Sequence, residues 1–100
     1  MILIVSLSSG ASANSPEMTA YRAHMQPLLL KYGAERLSSA RVLPPQPDAP
    51  LEIHVTRFPD KAEFDAMRAD PDYLALEDLR QAATQHMHTY IAEEYVTFLD

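Results

Sequence analysis

The order of apolar and polar positions divides the chain into seven predicted elements. The run Ile2 to Val5 is apolar without alternation, which is typical of a strand covered on both faces. Ser15, Pro16 and Glu17 then form a helix start, because Ser caps, Pro suits the first turn and Glu suits the positive end of the helix dipole. The spacing predicts a first helix that ends at Gly33, with an apolar stripe of Met18, Tyr21, Met25, Leu28 and Tyr32.

Two strands are predicted in the middle of the chain. The first covers Arg36 to Leu43 and stops at Pro44. Four of the eight prolines lie between Pro44 and Pro50, which predicts a stiff loop. The second strand covers Leu51 to Phe58 and alternates most clearly, with Leu51, Ile53 and Val55 on one face and Glu52, His54 and Thr56 on the other.

The remaining pattern predicts helical structure followed by a last strand. Asp60 and Glu63 form a capping box for a short helix. Asp70-Pro71 starts a further helix that we expect to continue to about His88, with an apolar stripe of Tyr73, Leu76, Ala83 and Met87. Tyr90 to Phe98 is rich in Tyr, Ile, Val, Thr and Phe and predicts the last strand.

With the two consecutive helices counted as one helical segment, this order is β-α-β followed by β-α-β, the split pattern of a ferredoxin-like α+β sandwich. We predict one domain over residues 1–100, with a four-stranded antiparallel sheet and helices on one face. The second face carries apolar residues from the first and last strands, more than a soluble monomer leaves in water. We therefore expect a homodimer formed sheet to sheet into an α/β barrel.

Several short sequences carry a family resemblance along nearly the whole chain. They are Tyr21 and Pro27 followed by Lys31-Tyr32-Gly33, then Phe58-Pro59-Asp60, Asp70-Pro71-Asp72-Tyr73, and Leu76 through Arg80. The chain resembles the dimeric α/β-barrel superfamily, and within it a family of small bacterial proteins known only as a domain of unknown function. The resemblance implies the barrel dimer and a small-ligand or enzymatic role, although a shared fold does not transfer an activity. Two features depart from it: Ala34 replaces a glycine, and prolines replace the glycine of the hairpin loop.

Composition narrows the possible functions. The chain has 47% hydrophobic residues, no Cys and a formal charge of −6. Without Cys it can form neither disulfides nor thiolate metal sites. Its acidic balance repels nucleic-acid phosphates and anionic membranes, so we expect neither as a partner.

The amino terminus has two interpretations. Its apolar run followed by Ala11-Ser-Ala13 is similar to a signal peptide, but no Lys or Arg precedes it. We predict a strand and a cytoplasmic protein, and no run is long enough for a membrane helix.

His54 is the first candidate for catalysis. Its position opposite Ile53 and Val55 predicts that it points into the barrel between two sheets, where an imidazole can act as a base. Glu52 and Thr56 share its face and can orient it. The alternative is a hydrogen-bonded histidine in a dimer interface.

A second candidate group lies on the first helix. Pro27 cannot donate to the carbonyl of Ala23, so the helix can open a cleft beside Tyr21 and His24. His24 is a second candidate base, and Tyr21 and Tyr73 are ligand-binding candidates. The alternative is a packed tyrosine and a solvated histidine.

Arg57 and Arg80 are candidates for holding an anionic group, since a guanidinium suits a carboxylate. The alternative for Arg80 is a helix pair with Glu77. The sequence His86-Met87-His88 suits a metal only if it is extended, and we interpret it as a helix end. No third ligand accompanies these histidines and the chain has no Cys, so we expect no metal. No glycine-rich phosphate loop or G-x-S-x-G elbow is present, which excludes nucleotide enzymes and α/β-hydrolases, and we expect no cofactor.

Two functional hypotheses remain open. The chain is either a small dimeric protein that binds or transforms a small organic acid or ketone between sheet and helices, or a non-catalytic dimeric interaction module whose histidines are structural.

Overall fold

The computed structural model describes residues 1–9, 15–44, 52–83 and 86–95. The elements are β1 (Ile2–Ser9), α1 (Pro16–Lys31), β2 (Glu35–Arg41), β3 (Glu52–Phe58), α2 (Lys61–Ala69), α3 (Pro71–Leu74), α4 (Glu77–Ala83) and β4 (His86–Glu93). The four strands form one antiparallel sheet in the order β2-β3-β1-β4. The predicted ferredoxin-like α+β fold is confirmed.

The predicted helix starts are confirmed in atomic detail. The side chain of Ser15 accepts a hydrogen bond from the Met18 amide, and that of Asp60 accepts one from the Glu63 amide. Each cap satisfies one of the amides that a helix leaves without a partner in its first turn. Helix α1 runs through Pro27 and is followed by Gly33, whose φ of 73° is accessible mainly to glycine.

The last third of the chain differs from the predicted elements. The segment after Asp70 forms two short helices, α3 and α4, instead of one helix that continues to His88. Strand β4 begins at His86, so the prediction of a helix end at His86-Met87-His88 is wrong. The strand pairs along β1, Met87 with Ser8 and Ile91 with Ile4. The proposed continuation to Phe98 lies outside the described residues, as do Leu51 and most of the proline-rich loop.

The core lies between one face of the sheet and the helices. Ile4 and Phe58 contribute from the sheet, and Leu28, Phe64 and Met67 contribute from α1 and α2. The rings of Phe58 and Phe64 meet edge to face with centroids 5.2 Å apart. No helix in the described part of the chain is long and apolar enough to cross a membrane.

Strand register assigns each sheet residue to a face. Ile4 pairs with Thr56, Ser6 with His54, and Ser8 with Glu52. Since Ile4 belongs to the core, the residues of these pairs share the helix-covered face. The opposite face carries the residues between them, and its apolar members are Leu3, Val5, Leu7, Ile53 and Val55.

Candidate functional site

A cavity of about 1300 Å³ lies between the helix-covered face of the sheet and the helices. Its apolar wall comes from core and helix side chains, among them Ile4, Met18, Met25, Phe64 and Met67. Its polar wall comes mainly from strands β2 and β3, which form one edge of the sheet. A small molecule with an apolar body and a polar head group matches this division.

Strand β3 places Glu52, His54 and Thr56 on the polar wall. The expectation that His54 points toward a second sheet is wrong, because its face of the sheet is the one that α1 and α2 cover. The expectation that Glu52 and Thr56 share the face of His54 is confirmed. His54 Nε2 lies 2.9 Å from Glu52 Oε1.

An irregularity in β2 completes the polar wall. Between Arg36 and Ser38 the register shifts, so that Arg36 pairs with Thr56, Ser39 with His54, and Arg41 with Glu52. A bulge of this kind changes the alternation of a strand by one residue. Arg36, Ser39 and Arg41 therefore all line the cavity, although regular alternation would put Arg36 opposite the other two.

Glu52 is the most buried charged group of the wall, with 3% of its side chain exposed. Arg22 Nη2 donates to both of its carboxylate oxygens at 2.7 and 2.9 Å, and Arg41 Nε donates to Oε2 at 3.3 Å. Burial raises the pKa of Glu52, but the hydrogen bonds from Arg22 and His54 outweigh it, and the net shift is downward. Glu52 is thus an anion shared by several donors.

Arg36 hydrogen-bonds uncharged groups, whereas Arg22 and Arg41 donate to the carboxylate of Glu52. It donates from Nε to Thr56 Oγ1 at 2.9 Å and from Nη1 to Ser39 Oγ at 3.3 Å, and its Nη1 lies 2.7 Å from His54 Nδ1. All three of these acceptors are neutral. Burial, and then the nearby charge of Arg22, lowers the pKa of Arg36. This cation is therefore held at the cavity wall by weaker partners than a carboxylate.

The cavity as a whole is positive although the chain is acidic. The charged residues of its lining are five arginines and two glutamates: Arg22, Arg36, Arg41, Arg68 and Arg80, with Glu52 and Glu77. The whole chain carries a formal charge of −6. A cationic, partly enclosed surface on an acidic protein favours a small anion, because its field is focused by the low-dielectric walls.

Several of the predicted ligand-binding residues also line this cavity. Tyr21, Tyr73 and Arg80 all contribute to it. Burial, followed by the proximity of Tyr73, raises the pKa of Tyr21 to about 12, so its hydroxyl is protonated at neutral pH. Arg80 Nη2 lies 3.7 Å from Glu77 Oε1, which confirms the helix pair.

Two candidates are placed away from the cavity. His24 is exposed on α1 and is not part of the lining. Arg57 lies on the opposite face of the sheet, where its Nη2 donates to Glu94 Oε1 at 2.8 Å and its Nη1 lies 3.6 Å from Glu35 Oε2. In the part of the chain that the structure describes, no group of three metal-ligating side chains is found.

The arginines Arg22, Arg36 and Arg41 were not identified from the sequence. Arg22 directly follows Tyr21 of the predicted apolar stripe, and a charged residue at this position of the first helix is expected on its solvent-facing side. Arg36 and Arg41 are five residues apart, which places them on opposite faces of a regular strand. The signal that identifies them is the pairing of β2 with β3, which exists only in the folded chain.

The arrangement can bind an anion and accept a proton. The arginines of the wall can hold a carboxylate or an oxyanion, and a neutral imidazole beside them can act as a base. The apolar side chains beside these groups lower the local dielectric, which strengthens both interactions.

Comparisons with known proteins agree with the fold. Residues 6–95 match the family described as "Domain of unknown function (DUF1330)". No curated protein matches the sequence.

Three solved structures illustrate the fold similarity. A protein of unknown function from Rhodopseudomonas palustris is 18% identical with a TM-score of 0.73, covering 96% of this chain and 83% of that one. A dabb family protein with a ferredoxin-like fold from Mesorhizobium loti is 15% identical with a TM-score of 0.65, covering 95% and 97%. A dimeric ferredoxin-like protein of unknown function from Jannaschia sp. is 14% identical with a TM-score of 0.67, covering 93% and 97%.

Proposed function

Since the chain belongs to the DUF1330 family of domains of unknown function, we propose its function from its own cavity: it binds a small organic acid between the sheet and the helices. The observation that supports this most is the lining of five arginines and two glutamates in a chain of net charge −6. An anion is attracted to such a cavity, whereas the outer surface repels it.

Within the cavity, Arg36 is the residue that we assign to the anionic head group. Its hydrogen-bond acceptors Thr56, Ser39 and His54 are neutral, so a carboxylate replaces them without breaking an ion pair. Arg22 and Arg41 stay with Glu52 and keep the wall in place. The apolar body of the ligand then lies against methionines and Phe64.

We also propose that two copies of the chain associate through the uncovered face of the sheet. That face carries Leu3, Val5, Leu7, Ile53 and Val55, and Tyr90 beside them has 56% of its surface exposed. A contiguous apolar surface of this kind is typical of an interface. The neighbour from Jannaschia sp. is itself described as dimeric. In such a dimer each copy keeps its own cavity on the outer side of the sheet.

The proposal is tested with matched pairs of ligands. Thermal unfolding is followed with benzoate and benzamide, and with octanoate and octanamide, so that a charged carboxylate is compared with a neutral amide of nearly the same shape within each pair. We expect the two anions to raise Tm by several degrees and their neutral partners to have little effect. Equal effects within each pair, or no effect of either anion, contradict the proposal.

Two arginine variants localise the effect. Arg36→Gln removes the charge at the cavity wall, and Arg57→Gln removes one on the opposite face. We expect the first to weaken anion binding at least tenfold, about 1.4 kcal/mol, and the second to leave it unchanged. Equal loss in both variants points to a nonspecific charge effect and contradicts the assignment.

A further inference from the structure

The imidazole of His54 is held in one neutral tautomer by contacts on both of its edges. Arg36 Nη1 lies 2.7 Å from Nδ1, and a guanidinium has only N–H donors, so Nδ1 must be the acceptor and carries no proton. Nε2 lies 2.9 Å from Glu52 Oε1, and a carboxylate only accepts, so Nε2 carries the proton. Burial lowers the pKa of His54, and the positive charge of Arg36 lowers it further. The hydrogen bond to Glu52 raises this pKa, but the net shift is downward.

In this geometry the lone pair of His54 Nδ1, where the ring would accept a proton, is occupied by a hydrogen bond from the Arg36 cation. Ser39 Oγ lies 3.0 Å from the same Nδ1, but its hydroxyl can rotate and does not fix the tautomer. The charged groups around the ring are Glu52 and Arg41 from the sheet, Arg22 from α1, and Arg36 itself. Among these, Arg36 is the cation in direct contact with Nδ1.

We propose that the hydrogen bond from Arg36 Nη1 to His54 Nδ1, here called the mask, keeps His54 from acting as a base, and that an anionic ligand frees His54 by taking this donor. The inference rests on the proposed function, because the ligand is the organic acid of the cavity. When its carboxylate or carbonyl oxygen takes the Nη1 donor of Arg36, Nδ1 loses its contact with the cation. It then keeps only Ser39 Oγ at 3.0 Å, a hydroxyl that can rotate away, so the lone pair of Nδ1 becomes available to the ligand. The site then accepts a proton from an organic acid with an acidic C–H or O–H next to that oxygen.

The proton-transfer step balances within the site. The C–H or O–H bond of the ligand breaks, and its proton forms an N–H bond with His54 Nδ1. The electron pair stays on the ligand as an enolate or oxyanion, whose charge is held by Arg36. The imidazolium that results keeps its Nε2–H on Glu52, a buried carboxylate that stabilises the new positive charge. The substrate class is therefore an enolisable or phenolic organic acid.

Ligand charge is what lets Arg36 change partners. Its present acceptors are two hydroxyls and one imidazole nitrogen. A carboxylate adds the attraction between opposite charges to its hydrogen bond with a guanidinium, and it can accept two parallel N–H bonds. A neutral ligand of the same shape offers no such gain, so it leaves His54 covered.

The experiment is histidine ¹⁵N NMR of the full chain, with the His54 signals assigned by comparison with His54→Gln. In the free protein we expect Nδ1 unprotonated and Nε2 protonated at neutral pH. On saturation with benzoate, we expect the protonation midpoint of His54 to rise by roughly half a pH unit or more, because its cationic neighbour is neutralised. Saturation with benzamide leaves the midpoint unchanged.

A pair of variants provides the control. Arg36→Gln raises the midpoint of His54 without any ligand, and benzoate then causes no further rise, whereas Arg57→Gln behaves as the unmodified protein. The benzoate titration itself is measured on the unmodified chain, and His54→Gln serves only to assign the signals.

The outcomes separate the two proposals. If benzoate shifts backbone signals of the cavity but leaves the His54 midpoint unchanged, the mask is overturned and anion binding stands. If no anion shifts those signals, the proposed function fails and the release mechanism fails with it. A protonated Nδ1 in the free protein overturns the mask directly.

Discussion

Arg22 on α1 and Glu52 on β3 connect the helices to the sheet at the cavity: a single nitrogen, Nη2, lies 2.7 Å from one carboxylate oxygen and 2.9 Å from the other. Glu52 is buried, whereas Arg22 keeps 41% of its side chain exposed. The carboxylate is therefore desolvated and depends on its donors, while the arginine keeps partial contact with water.

The first prediction concerns the stability supplied by this carboxylate. Glu52→Gln keeps the shape but removes the charge that Arg22, Arg41 and His54 share. We expect the free energy of unfolding to fall by about 1–3 kcal/mol, the usual cost of losing buried hydrogen bonds to a charged group. Urea unfolding measures it.

The matched control is Glu94→Gln. Glu94 also binds an arginine, Arg57, at 2.8 Å, but 42% of its side chain is exposed. An exposed pair contributes about 0–1 kcal/mol. A loss in Glu94→Gln as large as that in Glu52→Gln contradicts the role we give to burial.

The second prediction concerns acid pH. Asp70 accepts hydrogen bonds from Lys31, Tyr32 and the Asp72 amide, which together lower its pKa from 3.8 to about 2. Because the pKa is lower in the folded state, ionised Asp70 stabilises the fold above about pH 4 and this contribution is lost as the pH falls toward 2. We expect the difference in Tm between the unmodified chain and Asp70→Asn to shrink over that interval.

Asp65→Asn is the control for this pH dependence. Asp65 pairs with Lys61 at 2.8 Å on the exposed side of α2, with both side chains more than half exposed. We expect a small change in Tm with little pH dependence. If both variants respond to pH alike, the effect is general acid unfolding and not the Asp70 cluster.

The third prediction concerns the turn after α1. Gly33 has φ of 73°, and a Cβ added there would lie 3.1 Å from Pro59 Cγ. Gly33→Ala therefore combines an unfavourable backbone conformation with a tight contact, and we expect a loss of roughly 1 kcal/mol or more. Gly33→Asn has the same Cβ but tolerates positive φ better. Urea unfolding should rank glycine above asparagine and asparagine above alanine, and equal losses show that the contact with Pro59 dominates.

The fourth prediction concerns the proposed dimer. Val55 lies opposite Val5 on the uncovered face of the sheet. Val55→Lys places a charge in that apolar surface, and we expect light scattering to give the chain mass of 11.2 kDa instead of twice that mass. Leu30→Lys is the control, because Leu30 is 70% exposed on α1. A monomer in the unmodified protein, or an unchanged dimer in Val55→Lys, contradicts this interface.

Much of the fold could be predicted because local signals agree with the tertiary structure. The caps Ser15 and Asp60 and the turn at Gly33 each follow from short-range chemistry. The alternation in β3 also assigned Glu52 and His54 to one face correctly.

The start of the last strand was missed because its local signal is ambiguous. Met87 fits the apolar spacing of the preceding helix and also fits a strand. Met87 lies in the strand because it pairs with Ser8 of β1. This pairing joins residues far apart in the sequence, so it cannot be read from the local pattern.

The polar wall of the cavity could not be predicted for two physical reasons. The bulge between Arg36 and Ser38 brings Arg41 to the face of Arg36, and bulges depend on strand pairing. Whether His54 points toward the helices depends on which face of the sheet the helices cover. Alternation divides the residues of a strand between two faces, but it does not show which face is covered.

The most direct test of anion binding in the cavity is a benzoate titration of the ¹⁵N-labelled chain followed by backbone NMR, with benzamide as the neutral control. We expect saturable shifts in the benzoate titration to concentrate at Arg36, Ser39, His54 and Thr56, and benzamide not to produce them. Shifts centred on Val5 and Val55 of the opposite face, or equal shifts with benzamide, would contradict an anion site at the arginine-lined wall.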